Sequence, residues 1–142
     1  MSLELFPVVQ PEAAPMETEL PLCREVQWDY ERNLPVFRQG EPVTVEGAEA
    51  VAVWAWLALH TPRFRHEIYS WAFGTELENL IGQPYTEALK QAEAQRYVRE
   101  ALEINPYISG VDAVTVDFAD GALSIACTVR TVYGTREVSA VV

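Results

Sequence analysis

Between Val111 and Val142 apolar residues return at every second position, in three runs separated by two turn signals. Val114, Val116 and Phe118 share one face of the first run. Asp120-Gly121 is a hairpin signal of the primed kind, and Leu123, Ile125, Cys127 and Val129 alternate on the return. Tyr133-Gly134-Thr135 makes the next turn, after which Val138, Ala140 and Val142 alternate again. Period two means a strand buried on one face only. The pattern predicts a three-stranded antiparallel meander. A strand that finishes the chain is expected to be a sheet edge, with backbone groups unpaired until something covers them.

One apolar face needs helices to cover it, and two segments supply them. Ala48–His60 is rich in alanine, leucine and tryptophan, and Pro62 ends it, because the residue before proline disfavours helical geometry. Val51, Val53, Trp54, Trp56, Leu57 and Leu59 cannot share one side of it. A helix apolar all round is buried on several sides. It is therefore either a central core helix or one partly covered by another chain. The second segment runs from Tyr85 to about Asn105, with Pro84 as its first residue. Tyr85, Ala88, Leu89, Ala92, Val98 and Leu102 fall on one broad side, and Arg96 and Arg99 point into it. Those arginines either meet a carboxylate or carbonyl, or extend their heads along the edge to solvent.

The front of the chain reads differently. Pro7, Pro11, Pro15 and Pro21, with glutamates between them, exclude helix and interior strand, so residues 1–23 form a flexible or extended arm. Such an arm is either a disordered tail or a segment that docks on a partner. From Arg24, the residues Val26, Trp28 and Tyr30 alternate with Glu25, Gln27 and Asp29. Arg32 and Asn33 offer a turn, and Leu34–Phe37 returns as the second strand of a hairpin. Val43–Val45 follows as a further short extended piece. The fold class is α+β, one domain over 24–142 in which two main helices pack on the antiparallel meander.

Charge and composition restrict function. Among 142 residues the net charge is −11, and Lys90 is the sole lysine. A surface that acidic argues against nonspecific binding to nucleic acid or anionic membrane, both of which need clustered cations. Arg63 and Arg65 around Phe64 could stack on bases, yet two arginines make a poor phosphate track. The longest apolar run, Ala50–Leu59, is too short to span a bilayer. Cys23 and Cys127 match no metal-ligand spacing, and with no signal peptide at the N-terminus they are expected to be free thiols of a reduced cytosol. His66-Glu67 lacks the second histidine of a zinc-protease helix, since Ser70 stands there. Cys127 lies in an alternating apolar strand and reads as a small buried hydrophobe rather than a nucleophile. No phosphate loop or nucleophile elbow is present, so an enzyme is not expected, and no cofactor or metal is implied.

The stretch from Thr61 to Pro84 is the most idiosyncratic. It runs through Arg63, Phe64, Arg65, His66, Tyr69, Trp71 and Phe73 to Gly74, then Glu76 and Leu77, before Gly82 and Pro84. Aromatic residues at that density, closed by glycine, suggest a backbone pinned in place, an assembly element rather than a catalytic one. With Glu49-Ala50-Val51, Thr61, Arg63-Phe64-Arg65, Ile68-Tyr69-Ser70-Trp71, Phe73-Gly74 and Glu76-Leu77, the chain resembles small baseplate wedge proteins of the sheath-initiator type. These belong to contractile phage tails, and the form resembled is that of defective prophages and phage-like particles of Gram-positive bacteria. The resemblance runs from about Trp28 to the C-terminus. Tyr69, Trp71 and Gly74 form its most specific part, and Glu100-Ala101-Leu102 also fits.

The resemblance implies a multi-copy structural protein around the tail tube, six per ring if the family's symmetry holds, within a virion baseplate or tail-like particle assembled in the host cytoplasm. Its implied partners are the other wedge subunits, the tube and the sheath protein. The family offers a strand edge to which sheath arms add, matching the expected edge at Thr135, Glu137, Val138, Ala140 and Val142. Removing Thr135–Val142 is expected to leave a folded domain that no longer starts sheath. The classical wedge branch has a glutamate-proline-arginine triplet after the long helix; here Asn105, Pro106 and Tyr107 stand there, and packing by Tyr107 is the substitute dock. The competing readings are a stand-alone protein-binding adaptor and an enzyme using His66 and Glu67 in a cleft.

Overall fold

The computed structural model of the chain describes residues 20–62, 73–80, 84–119 and 121–142. Its C-terminal half holds the expected meander: β7 (Ile108–Ala119), β8 (Ala122–Thr131) and β9 (Gly134–Val141), antiparallel in the order β7-β8-β9. Leu123, Ile125, Cys127 and Val129 of the middle strand are all buried, as are Val138 and Ala140 of β9. The structure corrects one expectation. Val138 and Ala140 are 5% exposed, so deleting Thr135–Val142 would remove part of the core along with the edge.

Helix α1 (Ala48–His60) starts at Gly47, whose φ of 70° and ψ of −138° suit glycine alone. It ends where Thr61 turns to extended backbone before Pro62. The sheet, mainly β9, covers one side of α1, and the N-terminal strands β1 (Arg24–Val26) and β6 (Thr44–Glu46) cover another. Trp54 meets Phe73 edge-on at 5.6 Å. The protein's own chain therefore buries the helix on several sides, which explains an apolar surface without a stripe.

Helix α2 (Glu87–Leu102) departs from the sequence reading at its start and in its facing. Thr86 is the N-cap, its hydroxyl accepting from the Leu89 amide at 3.2 Å, so Pro84 and Tyr85 lie outside the helix. The buried residues are Ala94, Val98, Ala101 and Leu102, while Tyr85, Ala88, Leu89 and Ala92 are exposed. Arg96 faces solvent between Glu93 and Glu100. Of these two arginines, Arg99 is the one that reaches the sheet.

The N-terminal part is more elaborate than a hairpin. Strands β1 and β6 pair as a stem; β2 (Trp28–Asp29) pairs with β3 (Leu34–Pro35), and β4 (Phe37–Arg38) with β5 (Glu41–Pro42), as two arms. A closed ring of backbone bonds joins them: Gln27 N–H to Val43 O at 2.7 Å, Val43 N–H to Val36 O at 2.9 Å, and Val36 N–H to Gln27 O at 2.9 Å. Gln39 and Gly40, both at positive φ, close the second arm. Trp56 anchors the first arm, with Trp28 at 6.3 Å and Tyr30 at 5.2 Å between ring centroids.

The root of the expected arm is fastened to the domain. The Tyr107 hydroxyl donates to Pro21 O at 2.5 Å, the Cys23 amide donates to the Tyr133 hydroxyl at 3.0 Å, and the two rings stack at 6.1 Å. Residues 1–19 lie outside the described residues.

Candidate assembly interface

A three-stranded sheet has two edges, and α2 treats them unequally. Gln91, Gln95 and Arg99 stand four residues apart on α2 and so share one face. The Gln91 side-chain amide donates to Val116 O, Gln95 to Val114 O at 3.2 Å, and Arg99 to Val111 O at 3.4 Å. Those carbonyls lie on the outer edge of β7. Carbonyls of one edge normally keep a single parity along the strand, and Val111 breaks it. A β-bulge between Asp112 and Thr115, with Ala113 at φ 50°, brings all three to the same side. The helix thus occupies the hydrogen-bonding positions a fourth strand would use.

Among the described residues the other edge is open. Leu123 and Val142 exchange both backbone bonds, at 3.1 and 2.8 Å, and the β8-β9 register continues without a bulge to Thr131 and Gly134. Alternation along an antiparallel pair then directs the amides and carbonyls of Arg136, Val138 and Ala140 to β8. Those of Thr135, Glu137, Ser139 and Val141 point outward, and among the described residues no backbone group bonds to them. The sequence reading placed Thr135, Glu137, Val138, Ala140 and Val142 on this edge. The geometry separates them: Thr135 and Glu137 offer free main-chain groups, whereas Val138, Ala140 and Val142 direct theirs inward. Ser139 and Val141 join the open set, and strand parity counted back from the turn could have found them.

Beside this edge, Tyr30, Ala52 and Trp56 face Arg136–Ser139 across a cavity of about 170 Å³. A wider opening of about 700 Å³ continues along Tyr30, Trp56, His60, Val116, Ile125 and Ala140. His60 lies on Trp56 at 3.8 Å, and its Nδ1 is 2.9 Å from the Trp56 carbonyl. The Tyr30 hydroxyl has a raised pKa, from burial first and then from Glu49, with Arg136 opposing. Burial pushes the Cys127 thiol up to about 11, which keeps it protonated and unreactive beneath α1. Among the described residues no group of three His, Cys, Asp or Glu side chains could share a metal ion, and no helix is long and apolar enough to cross a membrane.

The other sequence-predicted positions divide between two regions. Arg63, Phe64, His66, Glu67, Tyr69 and Trp71 lie outside the described residues. The ends of that stretch are joined, since the Thr75 amide donates to Thr61 O at 2.9 Å and Pro62 bridges Thr75. Gly74, at φ 103°, is buried; Glu76 is half-buried, and Leu77 and Leu80 enter the core. Asn105 is 7% exposed and closes the turn after α2, its side-chain oxygen accepting from the Tyr107 amide at 2.8 Å. Pro106 is exposed.

The sequence matches a known family. The family model of the contractile injection system sheath initiator covers residues 24–134. The chain belongs to that family. A relative is the phage-like element PBSX protein XkdS of Bacillus subtilis (strain 168), 31% identical over 99 residues, which are 69% of this chain and 70% of that protein. Sheath initiators are structural parts of contractile tails, so the role at the level of the family is structural and sheath-initiating.

Proposed function

We propose that the protein sits in the baseplate of a contractile phage tail or tail-like particle, in a ring of six copies around the tube. There it starts the sheath by accepting strands from sheath subunits along β9. One observation carries this reading: β7's edge is occupied by α2 side chains, and β9's edge presents outward main-chain groups at four alternate residues. Tube, sheath and wedge subunits are its partners, and assembly takes place in the bacterial cytoplasm. Asn105, Pro106 and Tyr107, beside Ile104, which is 46% exposed, form the contact to larger wedge subunits, with the Asn105 side chain holding the turn from within. The motif residues Arg63, Phe64, Tyr69, Trp71, Gly74 and Glu76 serve the same assembly.

Proline scanning tests the edge directly. The Ser139 amide points away from β8, so Ser139→Pro removes a donor that the folded domain does not use. The Ala140 amide bonds β8, so Ala140→Pro breaks the sheet itself. Ser139→Pro is expected to keep a melting temperature within a few degrees of the parent and to enter baseplates. Electron microscopy of the resulting particles should show tubes without sheath. Normally sheathed tails from a folded Ser139→Pro protein would refute strand addition.

A further inference from the structure

We infer that the channel between Tyr30, Trp56 and β9 selects the side chains of the added strand, admitting a sheath segment whose alternate residues are apolar. The inference rests on strand addition at β9 and deepens it. Adjacent strands of a pleated sheet send residues in register to the same face. Residues of an incoming strand that lie opposite Val138 and Ala140 must therefore point to the helix side. There they meet Tyr30, Ala52 and Trp56 first, then the wider opening toward His60, Val116 and Ile125. Residues between them lie beside Glu137, Ser139 and Val141, whose side chains are exposed on the far face.

The occupant therefore needs two properties together. It must be extended, because the edge offers its main-chain groups at alternate residues only. It must also be apolar where it meets the rings, because the inner wall is formed by Tyr30 and Trp56, 5.2 Å apart, over Ala52, while Arg136, Glu137 and Ser139 line the β9 side. A charged side chain pressed against the ring faces would lose water that the hydrocarbon there does not replace. Tyr30 is 45% exposed, so the free protein presents this wall to a partner.

Amide exchange on the full-length chain, alone and assembled with purified tail sheath protein, reads the edge residue by residue. In the isolated protein the amides of Thr135, Glu137, Ser139 and Val141 should exchange about a hundredfold faster than those of Arg136, Val138 and Ala140. Sheath protein should slow the fast set. Tyr30→Asp should then weaken co-sedimentation with sheath by about tenfold or more, while Tyr30→Phe binds as the parent does. Melting curves confirm that both variants fold.

Protection of the outward amides with undiminished binding by Tyr30→Asp would overturn the selective channel and leave strand addition standing. Sheath binding without protection would overturn both. Outward amides already slow in the isolated chain would also overturn it. Slow exchange at every concentration would assign the edge to residues of the same chain outside the described ones, and slowing only as concentration rises would assign it to a second copy.

Discussion

Cys127 is one of a line of inward side chains on β8, and alternation alone identified it as a core residue. Its thiol can serve as a reporter of that core. The unfolded thiol ionises near 9.0 and the folded one near 11, so the folded state holds the proton more tightly. Below pH 9 both states are protonated and the contribution is fully present. As pH rises from 9 through 11 the unfolded state binds fewer protons, and stability falls. Urea midpoints measured at pH 7 to 10.5 should decline more steeply for the parent than for Cys127→Ala. Equal slopes would show that the thiol is accessible to water. A thiol reagent at neutral pH should label half-buried Cys23 and leave Cys127 untouched until the protein unfolds.

The strands of the meander were legible in the sequence because each carries its signal in one-dimensional alternation. The orientation of α2 was not, for a physical reason. A wheel drawn from apolar residues assumes that a helix faces its sheet with hydrocarbon, whereas this one lies against a strand edge and meets carbonyls with Gln91, Gln95 and Arg99. Polar residues at a spacing of four look like a solvated face until the edge is in view. Similarly, Pro84 masked Thr86 as the start, although threonine two residues before the alanine-rich run is an ordinary cap. Replacing Gln91 and Gln95 together by alanine would leave the carbonyls of Val116 and Val114 without side-chain donors and create a second open edge. Loss of about 1–3 kcal/mol is expected from the unmet carbonyls, with self-association visible by sedimentation velocity as concentration rises. A variant that stayed monomeric and as stable as the parent would remove the helix from any role in guarding β7.

Over the whole molecule, the parts that sequence periodicity could not join are joined by contacts between distant residues. The three-way ring of Gln27, Val36 and Val43 has no local signature, because each of its bonds joins two different one-residue junctions between strands. The tyrosine pair is likewise invisible in sequence: Tyr107 follows α2, Tyr133 sits in the β8-β9 turn, and both hold the chain at Pro21–Cys23. With Gly47 N–H donating to Cys23 O at 3.0 Å, this clamp ties the departure point of the N-terminal residues to the C-terminal sheet. Beside the Gly47 bond, the side-chain part of the clamp is two hydroxyl bonds and one stacked pair, so that part can be released without touching the core. Tyr107→Phe combined with Tyr133→Phe keeps the stack and removes both hydroxyls. Each such hydrogen bond contributes about 1 kcal/mol, so the melting temperature should move by only a few degrees. Cleavage by a chymotrypsin-like protease at Leu20 and Leu22, 44% and 48% exposed, should accelerate severalfold as the segment lifts away. Unchanged cleavage would mean that the backbone bond from Gly47 holds the segment alone.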